Sequence, residues 1–440
     1  MKQLEALLKG EKKLGIIGMG YVGYSSMMRY LKKGVRCVVT DFDEVRLEQM
    51  RERKYPPRNR FLFWKDMEAL DHAASERPFE IVSPEEVVRP DIEVFLVGVP
   101  LDYRSTRTPS DLERTVGLLG GLKERREVRP VVIFECMFKP YTMERLIVPA
   151  FERHGVDTVR DVILAYAPRR DWFYEELGSD GDERLMAAVT ADEAGEVRRI
   201  LELVQENVVE SDDVLAVEVA ECLQNGISYL GNALINQLLF SYPDADIRES
   251  VRLIKGVNRR IDPGLNAGFE LLLSSQFLID AARNPKYLTT LTDALSSHFS
   301  VQQGVVELLK RHDVQRVAVL GLLSHENKAE YDSAPPLLLP SLLREQGLEV
   351  GVHDPFLTKK KIRALTGCSA LDFPEGLRDA EAVLLLTPHT GYALIGRETL
   401  LEHLTSCRLV VDNTGLWSRY GWSEEDGIDF RVVGERGSLL

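Results

Sequence analysis

Hydrophobic residues occur in short unbroken runs over the first third of the chain, and the segments between these runs have an amphipathic helical pattern. The runs are, in chain order, LGIIG, RCVVTD, IEVFLVGVP, PVVIFE and TVRDVILAY. Strands that are apolar on both faces are typical of a parallel sheet covered by helices on both sides. The pattern therefore predicts a doubly wound α/β domain at the start of the chain.

The pattern changes in the middle of the chain. The segment from about Asp213 to Phe240 contains almost no helix breaker and is too apolar to lie alone on a surface. We predict that it forms one long helix, which joins two domains and packs against a copy of itself.

The last third of the chain repeats the scheme of the first. RVAVLGLLS corresponds to KLGIIGMG, GLEVGVHDPF to GVRCVVTDFD, DAEAVLLLTPH to DIEVFLVGVP, and CRLVVDNTG to RPVVIFECM. We therefore predict an α/β fold with two Rossmann-like domains, at residues 1–208 and 301–440, each built on a parallel sheet. A central helical domain at residues 209–300, which contains the long helix, joins them.

The first apolar run ends in the loop GMGYVG, in which Gly18, Gly20 and Gly23 have the spacing GxGxxG. In this motif the first glycine permits a tight turn, the second lets the backbone approach a pyrophosphate, and the third lets helix and strand pack closely. The helix that begins near Tyr21 points free N–H groups at the phosphates. Asp41 ends the second run, where a carboxylate bonds to both ribose hydroxyls and repels a 2′-phosphate. The loop predicts an NAD site; glycines that serve only a tight turn are the alternative.

The second α/β domain lacks this loop. At the matching place it reads GLLSHE, with Gly321 retained but with Leu323 and Glu326 in place of the other two glycines, although Asp354 still ends the following run. We expect that a dinucleotide does not bind there in the same way, whereas a mononucleotide or sugar nucleotide held by side chains would fit.

Composition narrows the class of protein. The 440 residues are 44% hydrophobic and 28% charged, as in globular proteins. The formal net charge of -14 disfavours a nucleic-acid partner. The five cysteines include no CxxC pair, so neither a zinc site nor a disulfide framework is indicated. Because the chain shows neither a signal-peptide pattern nor a long apolar run, we expect a cytoplasmic protein that does not span a membrane.

Longer motifs resemble the UDP-glucose/GDP-mannose dehydrogenase family over nearly the whole chain. They are, in order, GMGYVG, FLVGVPLDYRSTRTPSDLERT, FECMFKPYTMERLIVP, AYAPRRDW, VEVAECLQNGISYLGNALINQL, GVNRRIDPGLNAGFE, VAVLGLLSHENKAEYDSAP and HDPF. The resemblance implies an NAD-dependent enzyme that oxidises the C6 alcohol of a nucleotide sugar in two successive steps and forms a homodimer through its central helix. The candidate cofactor-binding residues are Gly18, Met19, Gly20, Tyr21, Val22, Gly23, Asp41, Val99 and Pro100.

The chain departs from the family where the two-step chemistry takes place. The second step needs a thiolate that holds the aldehyde as a thiohemiacetal, and by alignment Leu271 lies at the position of this cysteine. Ser275 replaces a nearby aspartate. Because a leucine cannot form the adduct, we expect a single two-electron step. The four-electron reaction is the alternative if Cys222, on the long helix, supplies the thiol.

The candidate catalytic residues lie on the long helix. The family pairs a lysine with an asparagine one turn later, whereas this chain has Glu221 and Asn225, which lie on one helix face. Glu221 is either a general base for an alcohol proton or a solvated or salt-bridged helix acid. Asn225 is either an active-site donor or a partner in a plain helix–helix hydrogen bond.

Further family positions are altered. Met137 replaces a threonine, Arg169 a glutamate, His325 a lysine and Asp332 an arginine, whereas Asn327 and Pro335 are retained. In the family the lost lysine and arginine meet the sugar nucleotide, so their loss disfavours the usual substrate. Arg260 matches a diphosphate-binding arginine, and with Asn266 and His325 it forms the candidate substrate site; a surface charge and an ordinary loop histidine are the alternatives. His325 and His389 both follow strands of the second domain, at the edge where α/β folds bind ligands, and each is either an acid/base group or an ordinary loop histidine.

The changes are selective, because the cofactor loop is intact while nearly every residue of the two-step chemistry differs. We therefore predict a one-step NAD-dependent oxidoreductase that acts on an alcohol or carbonyl of a small molecule such as a sugar or nucleotide derivative. The alternative is an inactive family member that binds NAD or a nucleotide for regulation or assembly.

Overall fold

The computed structural model describes residues 2–52, 79–100, 111–124, 128–169, 183–205, 207–254, 261–265, 269–323, 326–327 and 335–439. The chain divides into two compact units, Met1–Leu223 and Gln224–Leu440. Each unit contains one sheet covered by helices, and the boundary between them falls inside the long central helix. The three-part division at residues 208 and 300 stays a prediction.

The first unit contains an eight-stranded sheet with the order β3-β2-β1-β4-β5-β6-β7-β8. Its strands are β1 (Lys13–Ile17), β2 (Cys37–Thr40), β3 (Glu80–Ile81), β4 (Ile92–Val97), β5 (Val131–Phe134), β6 (Ile163–Tyr166), β7 (Arg184–Ala188) and β8 (Val208–Ser211). The order of the first six strands is that of a dinucleotide-binding fold. Those six pair in parallel, as predicted, but β7 runs antiparallel to β6. A short apolar run looks the same whether the strand is parallel or antiparallel to its neighbour, so the hydrophobic pattern did not predict the reversed direction of β7.

Helices cover both faces of the first sheet, which confirms the predicted doubly wound layout. They are α1 (Lys2–Leu8), α2 (Tyr21–Lys32), α3 (Glu44–Arg51), α4 (Asp111–Leu119), α5 (Val148–Arg153) and α6 (Ala194–Glu202). Successive residues of a strand contribute to opposite faces, as Ile16 and Ile17 show. Ile16 packs in a cluster with residues of α2 and α6, and Ile17 in a cluster with residues of α4 and α5. A five-residue π-helix, Met143–Ile147, precedes α5.

The predicted long helix is present as α7 (Val214–Ser241), which has 28 residues. Four apolar side chains along it are exposed: Val219, Leu223, Ile227 and Leu234. Within the described parts of the chain, none of the helices combines the length and the apolar character that crossing a bilayer requires.

The second unit contains a six-stranded sheet with the order β11-β10-β9-β12-β13-β14, and its strand pairs are parallel. The strands are β9 (Arg316–Leu320), β10 (Glu349–His353), β11 (Ser369–Ala370), β12 (Ala382–Leu385), β13 (Leu409–Asp412) and β14 (Asp429–Val432). The helices are α8 (Ile247–Leu253), α9 (Phe269–Ala281), α10 (Thr289–Ser296), α11 (Ser300–Arg311), α12 (Pro335–Glu345), α13 (Lys359–Thr366), α14 (Thr390–Ala393) and α15 (Arg397–His403). The prediction of a second Rossmann-like sheet is confirmed.

Candidate functional site

The loop after β1 forms a tight turn that is held by the ends of neighbouring strands. Gly18 has a φ of 90°, and its N–H donates to the Thr40 carbonyl over 2.9 Å. A Cβ atom on Gly18 would lie 2.7 Å from Cγ2 of Val99, and one on Gly23 would lie 1.9 Å from the Gly18 carbonyl oxygen. Turn and helix therefore approach so closely that neither position accepts a side chain.

Gly20 differs from the other two glycines because a Cβ atom there would meet no atom within 4 Å. Its φ of -68° and ψ of -165° are open to any residue. The free space in front of it lies at the N-terminus of the 12-residue helix α2, where unpaired N–H groups and the helix dipole favour a phosphate. The loop therefore fits the pyrophosphate of a dinucleotide. Tyr21 begins α2, and its side chain is outside the described residues.

Asp41 lies at the carboxyl end of β2 and is almost fully buried. Its Oδ2 accepts hydrogen bonds from the Met19 N–H over 2.6 Å and from Nη1 of Arg46 over 2.7 Å, and its Oδ1 accepts from the Asp43 N–H over 2.8 Å. A carboxylate has about four acceptor positions, so about one is left for a ribose hydroxyl. Arg46 was not predicted as a site residue; its position five residues after Asp41 is the only local signal for this contact.

A buried polar network ties α2 to the strands beneath it. Glu135 is inaccessible to solvent; its Oε1 accepts from Nη2 of Arg184 over 2.6 Å and its Oε2 from Oγ of Ser26 over 2.7 Å. Nη1 of Arg169 donates to Oγ of Ser26 over 2.7 Å and to the Val22 carbonyl over 3.4 Å. Arg169, at the position where the family has a glutamate, thus helps to hold the helix that faces the phosphates.

Two candidate cofactor residues follow β4. Val99 is buried against Gly18, whereas Pro100 is exposed. Both lie at the carboxyl edge of the sheet, where open α/β sheets bind ligands.

The start of α7 packs on the loop that follows β5. Glu218 is 1% exposed, and its carboxylate accepts from the Tyr141 N–H over 2.7 Å and from the Met143 N–H over 2.8 Å. Burial raises the pKa of Glu218 to about 7 against these two hydrogen bonds. Cys222, one turn later, donates from Sγ to the Phe138 carbonyl over 3.3 Å. Glu218 was not predicted as a site residue, because its partners lie more than 70 residues away in the chain.

The two candidate catalytic residues have different surroundings. Glu221 is buried and contributes to raising the pKa of Tyr166, after the larger effect of burial. Asn225 is half-buried, and its Nδ2 donates to Oγ of Ser274 on α9 over 3.0 Å. Asn225 therefore makes a helix–helix hydrogen bond, and catalytic roles for both residues stay predictions.

The position that the sequence comparison predicts for the family's nucleophile lies in α9, and its assignment to Leu271 stays a prediction. Leu271 is buried in α9, and its carbonyl accepts from Oγ of Ser275 over 2.9 Å. The five cysteines are free thiols and are buried. Burial raises the pKa of Cys222 well above its usual range, so this residue is held as a thiol rather than a nucleophilic thiolate.

The loop after β9 repeats the first loop in part. Gly321 has a φ of 82°, and Leu323, at the place of Gly20, is 1% exposed. Nε2 of His389 lies 3.2 Å from Oδ2 of Asp354, and its Nδ1 accepts from the Asn327 N–H over 2.8 Å. Both ring nitrogens of His389 therefore have hydrogen-bonding partners within the protein.

The candidate substrate residues Arg260, Asn266 and His325 lie outside the described residues, as does Asp332. In the ranges that the structure describes, no group of three or more His, Cys, Asp or Glu side chains could hold a metal ion.

Two domain models of one protein family match the chain. The NAD binding domain of the UDP-glucose/GDP-mannose dehydrogenase family matches residues 12–172, and its UDP binding domain matches residues 318–419. The curated relatives include a UDP-N-acetyl-D-mannosamine dehydrogenase of Methanococcus aeolicus, 19% identical over 100% of this chain and 99% of the relative. Protein CapL of Staphylococcus aureus is 22% identical over 92% of this chain and 96% of its own length.

Solved structures have the same fold. A UDP-D-ManNAc dehydrogenase from Pyrococcus horikoshii superimposes with a TM-score of 0.77 at 18% identity, over 97% of this chain and 100% of the other. A UDP-glucose dehydrogenase from Pyrobaculum islandicum gives a TM-score of 0.76 at 20% identity, over 98% of both chains. The predictions of the family and of NAD as cofactor are confirmed. The chain belongs to the UDP-glucose/GDP-mannose dehydrogenase family and contains that family's NAD binding domain.

Proposed function

We propose that the protein interconverts an alcohol and a carbonyl on a nucleotide sugar, or on a related nucleotide derivative, in one two-electron step. The observation that carries this proposal is the contrast between an intact phosphate loop, open at Gly20, and a buried leucine, Leu271, at the aligned position of the thiol. NAD supplies the hydride acceptor when it is bound. A single hydride transfer needs an acid/base group but no covalent adduct.

The state of the cysteines supports the one-step reaction. Among them Cys222 lies on the helix that also carries the candidate catalytic residues, yet its thiol is buried and donates to a backbone carbonyl. A protonated thiol in apolar surroundings is a poor nucleophile. It therefore does not replace the missing family cysteine.

Two residues of α7 are the candidates for deprotonating the alcohol and for binding its oxygen. Glu221 is a buried carboxyl group that would accept the alcohol proton, and Asn225, one turn later on the same helix face, would donate to the reacting oxygen. Ser274 accepts one N–H of the Asn225 amide, and the amide group carries a second N–H donor. The second candidate function is an inactive family member that binds NAD or a nucleotide for regulation or assembly; the bond to Ser274 favours it because it gives Asn225 a structural role between two helices.

The test is a turnover assay on a panel of UDP- and GDP-sugars and their carbonyl derivatives, followed by nicotinamide absorbance. The one-step proposal predicts one NADH for each product molecule, a product that a carbonyl reagent traps, and activity that survives thiol alkylation. A ratio of two NADH to one acid product would overturn it. Stabilisation by NAD in a thermal shift, with no turnover on any member of the panel, would support the inactive binder instead.

The apolar stripe on α7 supports a homodimer. Leu223 and Ile227 are 48% and 56% exposed and lie one turn apart, and a second copy of this helix is the partner of matching apolar chemistry. Sedimentation of L223D and I227D variants should show monomers. The matched control is L394D, since Leu394, directly after α14, is 80% exposed; a monomeric L394D variant, or dimeric L223D and I227D variants, would contradict the assignment. We also propose that the protein acts in the cytoplasm; cysteines that form no disulfide support a reducing compartment.

A further inference from the structure

The loop from residue 136 to residue 143 leaves the carboxyl end of β5. In a dinucleotide-binding sheet the strands on the β2 side of β1 serve the adenosine half of the cofactor, and β4 and β5 serve the nicotinamide half. We propose that Glu218 is a positioning residue that fixes this loop at the nicotinamide end of the cofactor site, and that its ionised carboxylate is the active form. This inference rests on the proposed function for its catalytic consequence but not for its structural test.

The contacts of Glu218 are made with the part of the loop that is strained. Tyr141 has a φ of 69°, a left-handed conformation that costs a residue with a side chain about 1 kcal/mol. The N–H of this residue and the N–H of Met143 both point at the carboxylate, one on each oxygen, at 2.7 Å and 2.8 Å. One buried acid thus offsets the strain and satisfies two backbone donors at the start of the π-helix.

The other half of the loop is held by groups that do not carry charge. The Phe138 N–H donates to the hydroxyl of Tyr166 over 3.1 Å, and the Phe138 carbonyl accepts from Sγ of Cys222 over 3.3 Å. The rings of Phe138 and Tyr166 stack with centroids 5.2 Å apart. Loss of the Glu218 charge therefore releases residues 141–143 and leaves residue 138 in place.

The electrostatic surroundings leave the two forms of the acid close in energy. The titratable groups that interact with Glu218 are Glu144 from the π-helix, Tyr166 from β6 and Cys222 from α7. Glu221 of α7 acts on the same Tyr166 and Cys222. Burial disfavours the carboxylate most, the hydrogen bonds from Met143 and Tyr141 favour it, and the charge of Glu144 disfavours it. With a pKa of about 7, the carboxylate predominates above neutral pH and the neutral acid below it.

The structural test is amide hydrogen exchange of residues 138–143 in the full chain between pH 5.5 and 8.5, expressed as protection factors so that the intrinsic pH dependence of exchange is removed. We expect the protection of the 141–143 amides to rise about tenfold with pH in the wild type, because charge-assisted bonds are about twice as strong as neutral ones. In E218Q the protection should stay low at every pH. The matched control is E144Q, which removes a nearby charge without touching the two hydrogen bonds and should move the midpoint to lower pH.

Several outcomes would overturn the proposal. Wild-type protection that does not change with pH is one, and E218Q protection equal to wild type at pH 8.5 is another. If E218Q does not fold, the wild-type and E144Q series still decide, since both retain Glu218. If E144Q does not shift the pH midpoint of the 141–143 protection, the titrating group is not Glu218.

The catalytic consequence is measured separately. At pH 8.5, E218Q should bind NAD as the wild type does by calorimetry but lose about tenfold in kcat for whichever substrate the panel identifies. If exchange behaves as expected and no turnover is found, the proposed function fails while the role of Glu218 in the loop stands. If turnover is found and E218Q retains full kcat at pH 8.5, the catalytic part of the Glu218 proposal fails instead.

Discussion

The first loops of the two α/β domains have the same turn geometry and the same backbone hydrogen bonds. Gly18 and Gly321 both have positive φ, at 90° and 82°, and each donates its N–H over 2.9 Å to the last residue of the neighbouring strand, Thr40 or His353. In both domains the aspartate after that strand accepts two backbone N–H groups. The donors are Met19 and Asp43 for Asp41, and Leu322 and Phe356 for Asp354.

The domains diverge at the second glycine. Gly20 faces open space, whereas Leu323 fills the corresponding position and is 1% exposed. Helix α2 begins three residues after Gly18, whereas residues 324, 325 and 328–334 of the second loop lie outside the described residues. The turn and its aspartate are thus parts of the fold that both domains share, and the open second glycine is what distinguishes the phosphate site of the first domain.

A second difference lies at β5 and β13, which are each two strands away from β1 and β9 in their sheets. Glu135 follows β5 and is a buried charge paired with Arg184 over 2.6 Å, while the matching residue after β13, Asn413, is a buried neutral amide. We expect R184M to destabilise the first unit by about 3–5 kcal/mol, because it leaves the Glu135 carboxylate uncompensated. N413A should cost the second unit only about 1–3 kcal/mol. Urea unfolding, monitored through the hydrogen exchange of the β5 and β13 amides, gives the free energy of unfolding of each unit separately.

The matched control for the ion pair is the double variant E135L/R184M. Because it removes both charges and leaves none buried alone, it should lose less than R184M. If the double variant is as unstable as R184M, packing rather than charge explains the loss, and this difference between the domains disappears.

The largest expected effect on binding is at Gly20. G20V should weaken NAD by about a hundredfold or more, since the side chain occupies the space through which phosphate approaches, while the free energy of unfolding stays near that of the wild type. The matched control is G391V in the second domain, where a Cβ atom also meets nothing within 4 Å. Calorimetry with NAD checks both variants; unchanged affinity in G20V, or an equal loss in G391V, would disprove the phosphate-site assignment.

The glycine and the aspartate of each loop were predictable from the sequence, whereas the long-range contacts around them were not. Gly18, Asp41, Gly321 and Asp354 end apolar runs, so their places follow from local pattern alone. Glu218 could not be assigned in this way, since its partners lie 77 and 75 residues away and pairing at that distance has no periodic signature. The reversal of β7 and the pairing of Glu135 with Arg184 are long-range features of the same kind.

Both units contain buried polar atoms without a hydrogen-bond partner among the described residues, but the charged network of the first unit and the amide of Gln302 in the second differ in degree. In the first unit Ser26 and Arg184 each donate to Glu135, and only Nε of the Arg184 guanidinium lacks a partner, whereas both polar atoms of the Gln302 amide, on α11 of the second unit, are buried with no partner among the described residues. We expect Q302L to stabilise the second unit by about 1–2 kcal/mol by removing an unsatisfied amide of similar size. Urea unfolding checks this prediction. The control is S26A, which removes a hydrogen bond that is made and should therefore destabilise the first unit. A destabilised Q302L would show that the amide is satisfied by ordered water.

The smallest expected effect concerns the strand residues that accept from the two turn glycines. Thr40 does not titrate, but burial lowers the pKa of His353 below its usual 6.5, and its Nδ1 lies 2.9 Å from the hydroxyl of Tyr392. Below pH 6.5 the unfolded chain binds a proton at this residue that the folded chain refuses, so the free energy of unfolding of the second unit falls as pH falls through that value. The loss should be no more than about 1 kcal/mol. Urea midpoints from β9 and β10 amides should show it in the wild type and not in H353T, which copies the first domain; an equal decline in H353T would assign the titration elsewhere.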